Sequence, residues 1–522
     1  MNKLPLLLFL VLALVTQAQV LTKENVLNVR LTSSGPVIQN EQVTGYYFFY
    51  NMEMKNRNYS NYLLTIADEN LREIASVTLT RPKTYILIEG AFNGEAFGFL
   101  GYDSYSRSIE LTSFDKTLKQ LGSSVRKLEN KLERQAYSNV VGGGAPDQDR
   151  LVPIPNKGFI YYGGKDDEDE QFKIECFNNN MITLWKEVSS DKADFEIASE
   201  GFHDEEYVGS LIARKKSKNS NDIEFDLMVQ RVDDGTRLFR RPAVTPAYSA
   251  TISDVYHDKA NNRFVVFGEY FDRSDKALKD QSKGFLTLVY NMEGAVVMEK
   301  INSWEEISKV TPMDAKGRLE GKRANVLFQD AIRTADGQIF LVGELYKKAA
   351  SAAGIASNLL SIGLGVATGY YGVSETGMTQ LEVMDLAIFE FNPDFTIQKL
   401  HLFEKSKNVT LLPAGAGYSS PKTLSYYARS MGGFDYVFSQ VAPDRSTFIV
   451  NYINYDRTQE GAKNILGSVI YTPEKTFATD KMELTRKSTQ YSIHRAKPGY
   501  VLVTEFNKKE KKVESRLEKV NY

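Results

Sequence analysis

Residues 261–300 constrain what this chain can fold into more than any other stretch. The run 263–271, R-F-V-V-F-G-E-Y-F, is aromatic and β-branched, sits poorly on a helix and suits a buried strand. The run 285–290, F-L-T-L-V-Y, has the same character. Asn291-Met292-Glu293-Gly294 then supplies turn chemistry, and residues 295–298 begin a third strand. The unit reads as an antiparallel meander.

The same order of apolar run, polar connection, apolar run and Asp/Asn/Gly turn recurs along the chain. Copies lie at 45–70, 85–115, 158–180, 207–235, 338–394, 448–475 and 500–520, and each has a preceding segment of its own, such as 252–256 or Ala331-Ile332. Eight units at roughly 60 residues each predict an all-β fold, a β-propeller of eight four-stranded blades, or seven if one unit is split wrongly. Tandem β-sandwiches also give many short strands, but no Gly/Pro/Ser-rich linker divides the middle of the chain. The eighth unit lacks a fourth strand. Residues 26–31, V-L-N-V-R-L, have no unit of their own and are expected to supply it, closing the ring.

Residues 1–18 have the layout of a secretory signal: Lys3, the apolar run 4–15, then Thr16-Gln17-Ala18 as a small-residue cleavage site. The apolar run is short of the roughly 20 residues needed to span a membrane. A single propeller domain is therefore expected at 19–522, exported to the periplasm, the outer membrane or the exterior. No cysteine near the cleavage site permits lipoprotein processing. The only cysteine, Cys176, excludes an internal disulfide and lies in a strand-like apolar run, as a core residue would. With 64 basic and 66 acidic residues, no global field points to nucleic acid.

Two insertions, at about 123–147 and 347–384, interrupt the β pattern. In the first, Ser123-Ser124 can cap a helix whose Val125, Leu128, Leu132 and Ala136 form a stripe. The following G-G-G-A-P lacks the Gly-Lys-Ser/Thr ending of a phosphate loop. In the second, 349–374 carries no charge, and small residues recur at every fourth position. If helical, it presents a flat ridge to a neighbour. Ser357, Ser361, Gly365, Gly369, Tyr370 and Tyr371 are the candidate interaction residues, for a partner or for peripheral contact with a membrane. An insertion folded onto the propeller face is the plainer reading, and Asn358 with the glycines argues against a lipid span.

No motif assigns a catalytic residue, cofactor or metal. The four histidines, His203, His257, His401 and His494, lack zinc-ligand spacing. His203-Asp204 and His257-Asp258 occupy comparable places in units four and five, where they could face one end of the ring as a base or ligand. Such pairs are more often turn residues. The acidic run 166–170 and the basic run 214–218 read as solvated hairpin tips.

Thr32-Ser33-Ser34-Gly35-Pro36-Val37, Gly45-Tyr46-Tyr47-Phe48-Phe49-Tyr50 and Glu89-Gly90-Ala91-Phe92-Asn93-Gly94-Glu95 resemble an uncharacterised family of secreted Gram-negative bacterial proteins, a domain of unknown function. The resemblance implies export and supplies no chemistry. Taken together, the sequence reads as an exported, non-catalytic binding or scaffolding propeller of the cell envelope with a protein or glycan partner. A propeller-type carbohydrate-active hydrolase or lyase, with carboxylates gathered at the channel, is the alternative.

Overall fold

The apolar runs and polar turns fold into eight antiparallel sheets; seven are meanders built in chain order, and the eighth takes one strand from the N-terminal end of the described residues. They are seen in a computed structural model that describes residues 20–141, 149–166, 171–190, 195–215, 222–350, 376–413, 416–458, 461–483 and 490–520. The first strand of each sheet touches the first strand of the next, and the last, Gln490–Arg495, touches Gly35–Gln39, so the eight blades close a ring. Blades one to eight occupy 35–82, 85–127, 151–188, 196–242, 248–303, 325–403, 436–483 and 490–519 with 20–23.

The turn before each outer strand shows why the repeat was legible. In blade one, Asp68 Oδ1 accepts the N–H groups of Asn70 and Arg72, both at 2.8 Å. Asp115, Asn178 and Asn291 do the same two and four residues on in blades two, three and five. The residue three after each has positive φ: Leu71, Leu118, Met181 and Gly294. Glycine takes that conformation freely. Leu71, Leu118 and Met181 are 4%, 3% and 6% exposed, so burial of roughly 1.5–3 kcal/mol per side chain offsets the backbone cost.

Ring closure differs from the expectation. Val20–Lys23, not 26–31, is the fourth strand of blade eight, antiparallel to Lys512–Lys519. Residues 26–31 instead plug the seam between blades eight and one. Val26 is fully buried and Val29 8% exposed, in one cluster with Tyr46, Phe48, Leu502 and Phe506. The Val26 N–H donates to Lys511 O at 2.9 Å and the Leu27 N–H to Asn51 O at 2.9 Å, so this segment bonds to both blades.

The first insertion is also redrawn. Residues Gln120–Lys127 are the outer strand of blade two, with Ser123 and Ser124 in the ladder and Val125 66% exposed. The helix is Lys131–Val141, and its cap is Asn130, whose Oδ1 accepts the Glu133 N–H at 2.9 Å. Alternation of side chains along 120–127 outweighed the helical spacing. In blade six, Ile339–Ala350 and Thr376–Phe391 form a long hairpin in which Lys347 pairs with Glu382 and Ala350 with Thr379. Strand therefore occupies both ends of the span 347–384. The six candidate interaction residues, Ser357 to Tyr371, lie outside the described residues.

An element absent from the sequence reading follows that hairpin. Asn408–Pro413 adds a fifth strand to blade six, and helix Pro421–Ser430, capped by Ser420, lays Leu424 and Ala428 on Leu327, Tyr346, Leu381 and Val383. No helix among the described residues is long and apolar enough to cross a membrane. Cys176 is 2% exposed and burial pushes its thiol up to about 12, as a core residue requires.

Candidate functional site

The site is built by irregularities in the innermost strands. Pairing with the second strand skips one residue between Leu87 and Glu89 in blade two, Glu200 and Phe202 in blade four, Ile252 and Asp254 in blade five, and Phe328 and Asp330 in blade six. Such bulges re-aim side chains, and each of the four is flanked by a carboxylate. Three of these reach across to the next blade. Glu89 Oε2 accepts the N–H groups of Arg150 at 2.9 Å and Leu151 at 2.8 Å. Asp254 pairs with Arg333 at 2.9 Å, and Asp330 accepts the Tyr436 hydroxyl at 2.8 Å. Glu89 and Asp254 clasp neighbouring blades and at the same time bring charge to the channel.

At this mouth the ring encloses a cavity of about 1560 Å³. Most ionisable groups of its wall are paired with one another or with a neighbour. Asp204 bonds His257 Nδ1 at 2.8 Å, Arg263 pairs with Asp258 at 2.8 Å, Lys259 with Glu205 at 2.7 Å and Asp336 with Lys475 at 2.6 Å. Arg445 pairs with Glu41 and Glu200 with His203. Arg333 also lies 3.8 Å over the Tyr256 ring. Among the described Asp, Glu, Lys and Arg residues of the wall, that leaves Glu89, Asp149 and Arg495 without an ion-pair partner.

Burial, and then the nearby Asp149 charge, push the Glu89 carboxyl up to about 7, against the pull of the two backbone N–H groups. Its Oε1 is buried with no hydrogen-bond partner. Asp149 has exposed surface on the channel wall yet is enclosed by the ring; its carboxyl is raised by that enclosure and by Glu200, with Arg495 opposing. Burial works against a charged His203, but the Glu200 carboxylate outweighs it and raises the imidazole. Burial lowers His494 to about 4, so that this ring is neutral near pH 7. A carboxyl poised near neutrality can donate or accept a proton, and the mixed charges of the lumen suit a polar ligand.

The sequence matches the model of a family of unknown function, DUF6770, over residues 1–521. The chain belongs to this family. No curated protein matches it. Among solved structures, it is similar to a europium-containing methanol dehydrogenase at 9% identity and a TM-score of 0.37, covering 83% of this chain and 81% of that one. It is also similar to the β-propeller domain of the trilobed protease from Pyrococcus furiosus, at 10% identity and a TM-score of 0.34 over 90% and 97% of the two chains. A third is prolyl oligopeptidase B from Galerina marginata, at 10% identity and a TM-score of 0.41, where 91% of this chain covers 55% of that one. These likenesses say nothing of activity.

In this DUF6770 protein the two His-Asp pairs do come together at one end of the ring. Asp204 of blade four bonds His257 of blade five, and the His257 side chain is 5% exposed against Phe202, Tyr207 and Phe264. Asp258 bonds Arg263 and Asn261 instead. His401 bonds Glu390 at 2.7 Å, away from the channel. The two hairpin runs are partly structural: Asp166 pairs with Lys173 at 2.7 Å, and Arg214 lies in a strand between Glu224 and Asp226. Among the described residues no three His, Cys, Asp or Glu side chains gather as a metal would need. Glu89, Asp149 and Arg495 were missed. Glu89 stood in a recognised family segment, but its position depends on a bulge, and a bulge depends on two strands at once.

Proposed function

We propose that this family member is an exported, non-catalytic binding propeller of the bacterial cell envelope that takes an oligosaccharide at the mouth of its channel. The reading is supported above all by that mouth: a wide polar cavity whose charged wall residues are paired except at Glu89, Asp149 and Arg495. Among the described residues, none of the large exposed apolar side chains lines it. A protein partner would want an apolar anchor there, whereas a hydroxyl-rich chain needs donors and acceptors in a recess. Export rests on the leader-like residues 1–18.

An array of envelope oligosaccharides tests this reading. The wild-type protein should retain a subset, and Asp149→Asn with Arg495→Gln should weaken that retention by about 10- to 100-fold, the worth of one or two charged hydrogen bonds. Melting should be little changed, because Asp149 is exposed and neither side chain is ion-paired. Equal retention by both proteins contradicts the site.

One observation favours a second reading, a hydrolase or lyase. Glu89 at about 7 has the protonation range of a general acid, with Asp149 as a second carboxyl. Cleavage of a retained oligosaccharide would support it.

A further inference from the structure

We infer that the oligosaccharide carries a primary ammonium group, as a deacetylated amino sugar does, and that this group seats at Asp149 with Glu89 behind it. The inference rests on the channel reading and specifies its ligand.

Charge pairing in the wall carries it. Of the three groups left over, two are carboxyls and one is a guanidinium. Arg495 already faces an anion, since its charge is what opposes the rise of Asp149. An anionic ligand drawn to Arg495 would lie against Asp149 and the Glu200–His203 pair. No ion pair neutralises Glu89, and its Oε1 is a buried acceptor without a donor. The groups without an ion-pair partner thus include one more carboxyl than cation, beside an oxygen with an unmet hydrogen bond. A cation at Asp149 answers the excess.

Linkage then fixes the sign. The groups that act on Glu89 are Asp149, which raises it, and Arg150 with the N–H groups of Arg150 and Leu151, which lower it; the Tyr47 phenol also feels its charge. Asp149 is acted on in turn by Glu200 and Arg495. A positive charge brought to Asp149 favours the ionised form of Glu89. Binding near pH 7, where the Glu89 carboxyl is partly protonated, therefore expels a proton, and affinity for a fixed cation rises as pH climbs through that range.

Titration calorimetry at pH 6.5, repeated in buffers of different ionisation enthalpy, tests this with three tetramers: of glucosamine, of N-acetylglucosamine and of a uronic acid. The glucosamine tetramer should bind at least about tenfold more tightly than its acetylated form, as one charge-assisted contact would give. Asp149→Asn should bring the two within about twofold. Glu89→Gln should release measurably fewer protons than wild type while still preferring the amine. Equal or weaker binding of the glucosamine tetramer, or tighter binding of the uronic acid, overturns the inference. Acetylated tetramer binding as tight as that of the glucosamine tetramer, and lost in the Asp149/Arg495 double variant, would do so while leaving the channel reading in place. Failure of all three to bind a folded protein also overturns it, and the array then judges the channel reading separately.

Discussion

A variant lacking residues 20–31 loses roughly 4 kcal/mol of stability, with its denaturation midpoint falling in proportion. The deletion removes the fourth strand of blade eight and the plug beside it. Val26 and Val29 are buried between blades eight and one, and burial of each is worth about 1.5–3 kcal/mol. The strand Val20–Lys23 itself buries little, but it covers the ladder edge of Lys512–Lys519. Exposing that edge leaves a template for pairing between molecules, so the variant should also aggregate on heating. Equilibrium denaturation and light scattering measure both effects. An unchanged midpoint contradicts closure by this segment.

Lys405→Met costs about 3–5 kcal/mol, because it breaks a buried ion network by removing one sign of charge. Lys405, Glu344 and Asp435 have side chains 0%, 0% and 1% exposed where blade six meets blade seven. Lys405 lies 3.3 Å from Glu344 and also pairs with Asp435, while Asn408 Nδ2 donates to Asp435 at 2.8 Å. Glu344 in turn accepts the N–H groups of Asp435 at 3.2 Å and Tyr436 at 3.0 Å. Burial first, and Asp435 after it, raise the Glu344 carboxyl, with Lys405 opposing. Without the ammonium, two carboxylates remain in a dry seam. Replacing all three with Met, Gln and Asn should recover most of the loss. A single variant as stable as wild type would mean that the seam admits water or ions.

The blades were legible because their signals are local. An apolar run followed by an Asx turn needs only a few neighbouring residues, as at Asn291 to Gly294, and the same turn recurs with the same N–H partners. The closing strand was misplaced for a local reason too. Val20–Lys23 alternates exposed and half-buried positions and looks unremarkable, whereas Val26 and Val29 are more deeply buried yet belong to a seam rather than a ladder. The Asn130 cap lost to Ser123-Ser124 because serine is also at home in an outer strand.

The channel was half legible. Equivalent places in two units predicted that His203-Asp204 and His257-Asp258 would share an end of the ring, and Asp204 and His257 do meet there. Glu89 and Glu200 depend on bulges set by the register of a second strand. Asp149 stands out only once blades two, four and eight surround it. Two structural clasps, Asp254–Arg333 and Asp330–Tyr436, come from the same device and show that a bulge carboxylate is not by itself a site. What separates Glu89 is the oxygen left over after the clasp is made.

The most direct test of the channel as the functional site is amide hydrogen exchange with and without a retained oligosaccharide. Slowed exchange is expected in the inner strands Tyr85–Phe92, Leu151–Ile154 and Gln490–Arg495, with the outer strands unchanged. Protection confined to the long hairpin of blade six or to the outer strands would contradict it, and would move the binding site to the rim of the propeller.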